Sequence, residues 1–264
     1  MRRYQNKRFY DIMMVYKGLQ KASCKTVLSI YDPERKAHMQ SVKNGKQLFN
    51  YTPDYVVFDL ETTGTSCATD EVIEISAVKV HAGTIVDEFS SLVNPGRPIP
   101  AQASAVNGIT DAMVADSPSF SRVLQQFLAF AQDAVLVGHN IRSFDMKFIQ
   151  RDAQKYFGRG ICNDYIDTLP LARQYLPQLS HHRLTDLAKH YRISTNGAHR
   201  ALNDCRMNQK IFEYLKKEID QPSEAANTVR KCPKCGNILK KRNGRFGTFW
   251  GCTGFPECRY TENI

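Results

Sequence analysis

The sequence predicts an α/β protein, a mixed β-sheet flanked by helices, followed by a small cysteine-rich module. Three observations carry that expectation. Three strand-like runs stand close together between residues 55 and 93, and helical and strand-like patterns then alternate to about residue 217. Four of the eight cysteines crowd into the stretch from Cys232 to Cys258.

Residues 1–53 carry 11 basic and 3 acidic side chains, a net +8, and no sharp motif. A short helix is expected at Arg8–Ala22 and a short strand at Thr26–Tyr31, in a basic N-terminal segment to which no role is assigned. From residue 54 the pattern sharpens. Tyr55 to Glu61 (YVVFDLE) is a run of β-formers closed by Thr62, Thr63 and Gly64, and reads as a buried strand ending in a turn. Val72–Val80 and Thr84–Val93, separated by His81, Ala82 and Gly83, read as an antiparallel hairpin. Helical spacing follows at Ser119–Gln132, then a short apolar strand at Ala134–Gly138, then helices at about Phe144–Tyr156, Asp167–Leu176, Leu184–Tyr191 and Ala201–Lys217. The Pro-Ser start and low apolar content of residues 221–230 mark a linker, which leaves 54–220 as the main domain and 231–264 as the cysteine module.

The chain has 264 residues, 42% of them hydrophobic, enough for one large core or two smaller ones. Mean hydropathy is -0.43, and no apolar run approaches the roughly 18 residues of a membrane helix. Asp11 and Lys17 interrupt the basic start before a signal core can form. A cytoplasmic protein with no membrane partner is expected. Cys24, Cys67, Cys162 and Cys205 are scattered, unlike a secreted disulfide framework. The net charge of +10 is uneven: residues 54–220 hold 17 basic and 20 acidic side chains, whereas residues 221–264 hold 8 and 3. Basic ends point to a polyanionic partner or to solubility alone, and the acidic centre to carboxylates gathered around a metal.

Asp59 and Glu61 lie two apart on the first strand, so both side chains point the same way at its C-terminal end. Two such carboxylates repel unless one is protonated or a cation lies between them, and hard oxygen donors select Mg²⁺ or Mn²⁺. Taken alone, the pair also fits a strand-edge or cap arrangement. Asp145 falls in the first turn of the helix after Gly138, with Phe144 and Phe148 available to anchor that helix to the sheet. His199 stands just before the last long helix and Asp204 in its second turn. His181, His182 and His190 are expected in surface or packing roles, and His139 in shaping the loop ahead of Asp145.

These motifs, FDLETTG (58–64), HNIRSFD (139–145) and HRALND (199–204), together resemble those of the DEDDh 3′-5′ exonucleases, the family of the proofreading epsilon subunit of bacterial DNA polymerase III. The stretch Val106–Phe120 is also similar, with Asn107 where histidine is common. The resemblance covers about residues 54–218 and implies an RNase H-like fold. It implies phosphodiester hydrolysis with two Mg²⁺ or Mn²⁺ ions about 3.5–4 Å apart. Asp59, Glu61 and Asp204 would hold one ion, Asp59 and Asp145 the other, and His199 would act as general base. Leu60 and Thr62 would touch the terminal nucleotide or simply pack the turn.

In the C-terminal module, the pairs Cys232/Cys235 and Cys252/Cys258 fit one tetrahedral zinc in a segment too small for its own apolar core. The run from Cys232 to Thr261 resembles the C-terminal zinc ribbon of type IA DNA topoisomerases, which implies a binding module without topoisomerase activity. Lys240, Lys241, Arg242, Arg245, Phe246, Phe249 and Trp250 sit between the cysteine pairs, and Phe255 and Tyr260 follow. Cations beside aromatics suit a single strand, in which phosphates and unstacked bases are both exposed. Phe246 and Phe249 divide evenly between that role and packing.

The expectation is therefore a metal-dependent 3′-5′ exonuclease on single-stranded DNA ends, assisted by a zinc ribbon, in a replication or repair setting that includes a DNA polymerase or repair complex as partner. RNA trimming, and non-catalytic binding of single strands, are the alternatives.

Overall fold

The computed structural model describes residues 45–245 and 247–264. The helix expected at Arg8–Ala22, the strand at Thr26–Tyr31 and the ring of Phe246 lie outside them. The chain divides into two compact units between Met39 and Gln40, and every described residue belongs to the second.

Six strands form the main sheet: β1 (Gln47–Leu48), β2 (Tyr55–Thr62), β3 (Val72–His81), β4 (Thr84–Leu92), β5 (Val135–Gly138) and β6 (Tyr165–Asp167), in the order β1-β6-β5-β2-β3-β4. β2, β3 and β4 are antiparallel neighbours, whereas β2–β5, β5–β6 and β6–β1 are parallel. The expected hairpin is present, with Ala82 (φ 49°) and Gly83 (φ 77°) in the left-handed conformation that a tight two-residue turn requires. Leu48, ahead of the domain start expected at residue 54, pairs with Ile166 at the sheet edge.

Both faces of β2 are covered, which is why its sequence is a near-continuous apolar run. Val56, Phe58 and Leu60 pack with α3 (Phe120–Ala131) and α4 (Asp145–Phe157). Tyr55 and Val57 pack on the other face with α5 (Thr168–Tyr175), α6 (Leu184–His190) and α7 (Ala201–Asp220). Each long helix buries one stripe, such as Phe120, Val123, Leu124, Phe127 and Ala131 in α3. α1 (Ala101–Asn107), α2 (Asp111–Val114), β1 and β6 are too short to display a period, so no sequence pattern marks them. The segment expected as a linker contains a single helical turn, α8 (Glu224–Asn227), in which Ser223 Oγ accepts from Ala226 N and Ala226 is buried.

The cysteine module is a three-stranded antiparallel sheet, β7 (Leu239–Gly244), β8 (Gly247–Cys252) and β9 (Thr261–Asn263). It sits against the main domain. Lys147 of α4 pairs with Glu257 at 2.9 Å, and a Cβ added to Gly254 would lie 2.9 Å from an Arg142 guanidinium nitrogen. A Cβ added to Gly236, at φ +75°, would likewise lie 2.9 Å from the Phe49 ring.

Candidate active site and zinc centre

Asp59 and Glu61 belong to the face of β2 that carries Tyr55 and Val57, because strand side chains repeat every second residue. That face meets α7. Its first turn, rather than its second, supplies Asp204, since the helix begins at Ala201. One oxygen each from Asp59, Glu61 and Asp204 lie within 4.8 Å of one another. Asp145 opens α4 as expected, stands outside that close group, and accepts a hydrogen bond at Oδ1 from Leu60 N at 3.1 Å.

Burial and crowding of like charge raise all four acids. Asp59 is pushed far above the ordinary carboxylate range by burial first, then by the charges of Asp145, Asp204 and Glu61. Glu61 is raised to about 7 by burial, Asp204 and Glu74, against a hydrogen bond from Asn107 and the charge of Arg200. Burial raises Asp145 to about 8 although its own and the Leu60 backbone N–H groups oppose this. Asp204 is raised by burial, with the His199 N–H opposing. Such a set of hard oxygen donors, costly to ionise without a counter-charge, fits Mg²⁺ or Mn²⁺.

His199 is exposed, on the loop ahead of α7. Its φ of +66° is rare for a side chain with a Cβ, and its backbone N–H donates to Asp204 Oδ2 at 3.0 Å. Leu60 packs into the core, and the Thr62 hydroxyl donates to Gly64 O at 2.6 Å.

Two residues around the centre, Glu74 and Asp167, were not singled out by sequence. Buried Glu74, opposite Glu61 in register, takes Arg200 through both carboxylate oxygens and also accepts from Ala201 N, fixing the start of α7. Asp167 caps α5 and accepts from the backbone N–H groups of Asn140, Arg142 and Leu169, so it pins the loop that delivers Asp145. Such residues carry no local signal, because their partners are distant in sequence. His139 shapes the same loop, its Nδ1 lying 3.0 Å from Thr168 Oγ1, and His182 Nε2 lies 2.9 Å from the Leu176 carbonyl.

In the ribbon all four thiols converge within 4.8 Å, with Sγ–Sγ separations of 3.7 Å for Cys232–Cys258 and 3.4 Å for Cys235–Cys252. Tetrahedral zinc with bonds of about 2.3 Å implies sulfur separations near 3.8 Å, so the donor set fits. Burial opposes the Cys235 thiolate, but hydrogen bonds from Asn237 and the neighbouring thiols bring it down to about 6. Gly254 N donates to Cys252 Sγ. Lys241 stands opposite Trp250 and Arg242 opposite Phe249. Lys240, Lys241, Arg242 and Arg245 are exposed. Trp250 is half-buried against the cysteines, with Arg230 and Lys241 over its ring. Phe255, 62% exposed, is the ribbon's most accessible described aromatic and lies between the Gly254 and Glu257 contacts to the main domain.

The family described as exonuclease matches residues 56–212, and that described as topoisomerase DNA-binding C4 zinc finger matches residues 229–264. The DNA polymerase III subunit epsilon of Aquifex aeolicus is 38% identical over 184 residues, 70% of this chain and 90% of that protein. The PolC-type DNA polymerase III of Clostridium perfringens is 40% identical over 175 residues, 65% of this chain but 12% of that much longer enzyme. Exonuclease X, solved with 5′-overhanging duplex DNA, aligns with a TM-score of 0.51 and 27% identity over 65% of this chain and 99% of its own. Exonuclease I of E. coli, solved with single-stranded DNA, aligns with a TM-score of 0.60 and 18% identity over 79% of this chain and 53% of its own, a likeness of fold.

Proposed function

The chain belongs to the exonuclease family, and on that premise we propose that it is a 3′-5′ exonuclease that shortens single-stranded DNA ends and releases nucleoside 5′-monophosphates. The observation that carries the reading is the convergence of the Asp59, Glu61 and Asp204 oxygens within 4.8 Å at the end of a central strand. Asp59, Glu61 and Asp204 would hold one Mg²⁺ or Mn²⁺, and Asp59 with Asp145 a second. Bound there, the ions supply charge neutralisation at the scissile phosphate and make water acidic enough to react at neutral pH.

The protein's own groups do the rest. His199 takes the proton of the attacking water, the role of general base that histidine most often fills. Its exposed loop position leaves it free to meet a substrate at the rim. Glu74 and Asp167 act through others, the first by fixing the start of α7 and the second by fixing the loop into Asp145. The zinc ribbon raises the local concentration of the strand. Its exposed Lys240, Lys241, Arg242 and Arg245 face phosphates, and its aromatics Phe249, Trp250 and above all Phe255 are the candidates for base stacking. The polymerase III names of two relatives support a replication or repair setting in the cytoplasm with a polymerase as partner. Among the described residues no helix is long and apolar enough to cross a membrane.

The test is degradation of a 5′-labelled single-stranded DNA oligonucleotide and its RNA twin with Mg²⁺, with chelator, and with Asp204→Ala. A stepwise ladder lost with chelator or mutation is expected, and the DNA-to-RNA rate ratio identifies the preferred sugar. Tight binding without a ladder on either strand would overturn the reading in favour of a non-catalytic binding protein.

A further inference from the structure

The sheet end that carries the carboxylates also carries a cleft of about 480 Å³, built from both modules. Its floor is His139 and Asn140, the residues that leave β5 toward Asp145. One wall is α5 with Arg173, another is the loop ahead of α6 with His182 and Arg183, and Lys240 of the ribbon strand β7 closes it. β5 runs parallel to β2 as its neighbour in the sheet, so His139 and Asn140 leave the same end of the sheet as Asp59 and Glu61.

Among the described residues the lining contains no carboxylate, and none of Arg173, Arg183 and Lys240 makes an ion pair. The acids that act on its groups are Asp167, which attracts Arg173, and Asp186, which acts on His139 and His182. His139 and His182 add little charge. Burial holds His139 down at about 4 and lowers His182 as well. The cations are crowded instead, since burial and then Arg173 and Arg242 lower Lys240. Three cations lining one cleft with no ion pair among the described residues favour an oxyanion with several acceptor atoms, and a guanidinium fork matches the two free oxygens of a phosphodiester.

We propose that the cleft between Arg173, Arg183 and Lys240 binds a phosphodiester of the substrate strand next to the catalytic centre, so that nuclease and ribbon share one phosphate. This deepens the exonuclease reading and rests on it. The Lys147–Glu257 pair and the approach of Arg142 to Gly254 seat the ribbon against the main domain on the same side as the cleft's Lys240 wall.

The test uses the full-length, zinc-loaded protein and the variants Arg183→Gln, Lys240→Gln and both. Substrates are 5′-labelled single strands of increasing length and the p-nitrophenyl ester of thymidine 5′-monophosphate, which has no second phosphate to reach the cleft. The ratio of kcat/KM on a 12-mer to that on the ester is expected to fall about 10-fold in each single variant, through KM. The double variant should lose less than the product of the two, because both side chains serve one phosphate. The slope of log affinity against log salt should become shallower by about 0.7 for the one lost contact. An unchanged ratio and salt slope in both variants would overturn the proposal. So would equal losses on ester and 12-mer, which would assign these residues to the fold. If the wild-type protein with Mg²⁺ hydrolyses neither substrate, the exonuclease reading fails instead. The cleft is then decided by anisotropy with a phosphorothioate 12-mer, where wild-type affinity in Arg183→Gln and Lys240→Gln would overturn it and a matching loss would support it.

Discussion

The backbone N–H of Leu60 donates to Oδ1 of Asp145 at 3.1 Å, tying the strand between Asp59 and Glu61 to a helix start 85 residues later. The bond needs an acceptor but not a charge. Asp145→Asn keeps an acceptor, whereas Asp145→Ala leaves the buried N–H unsatisfied, at a cost of about 1–3 kcal/mol. Thermal melts of the metal-free protein should therefore show Ala clearly destabilised and Asn close to wild type, while both variants lose the degradation ladder. Equal melting of Ala and Asn would mean the bond contributes nothing to the fold.

Crowded carboxylates also set the pH dependence of the metal-free protein. Glu61 is raised to about 7 and Asp145 to about 8, against roughly 4 in an unfolded chain. A folded-state pKa above the unfolded one contributes stability that is complete below about pH 4 and is lost as pH rises through the folded values. With chelator present, Tm should fall as pH rises from about 4 to about 8, and Mg²⁺ should restore more at the upper end than at the lower. Asp145→Asn should flatten the profile. A Tm that rose over this interval would contradict the electrostatic account of the site.

His199→Ala should lower kcat by about 10²- to 10⁴-fold, the usual range for a positioned general base. Oligonucleotide affinity should stay nearly intact, since the hydrogen bond to Asp204 comes from the backbone and survives the substitution. Single-turnover rates and fluorescence anisotropy separate the two effects. Wild-type turnover in this variant would remove His199 from the chemistry.

The Glu74–Arg200 pair is asymmetric, with side chains 4% and 43% exposed. Arg200→Ala strands a buried carboxylate, which costs about 3–5 kcal/mol when a buried pair is broken. Glu74→Gln leaves a half-exposed guanidinium that water can solvate, and should cost less. Both should lower activity by loosening the start of α7. Chemical denaturation of the two variants measures the difference, and a larger loss for Glu74→Gln would reverse the argument.

The sequence was most legible where a short-range rule forces the geometry. The two-residue spacing of Asp59 and Glu61 put both on the face that meets α7, and the cysteine spacing anticipated a four-thiol centre. Leu60 and Thr62 were legible only as positions: their side-chain packing and turn bonding depend on neighbours that no local pattern names. Glu74 and Asp167 were invisible for the same reason, as each holds groups from another element. The seating of the ribbon beside the Asp145 loop was not legible at all, because single contacts such as Lys147–Glu257 and Arg142–Gly254 have no periodicity.

That seating bears on removal of the zinc. Cys232, Cys252 and Cys258 are buried with little else than Leu239 and the flanks of Trp250 and Tyr260 around them, and a core this small does not hold its fold without the metal. Cys232→Ala should therefore unfold the ribbon while the main domain, with its own cores on both faces of the sheet, stays folded. Long oligonucleotides should bind more weakly and with less sensitivity to salt, whereas hydrolysis of di- and trinucleotides should stay near wild type. Trp250, the only tryptophan, reports directly on ribbon folding by its emission, so the length dependence of kcat/KM can be set against a measured loss of the module. Equal losses at every length, with the emission change of an unfolded ribbon, would show instead that the ribbon supports the Asp145 loop through Lys147 and Arg142.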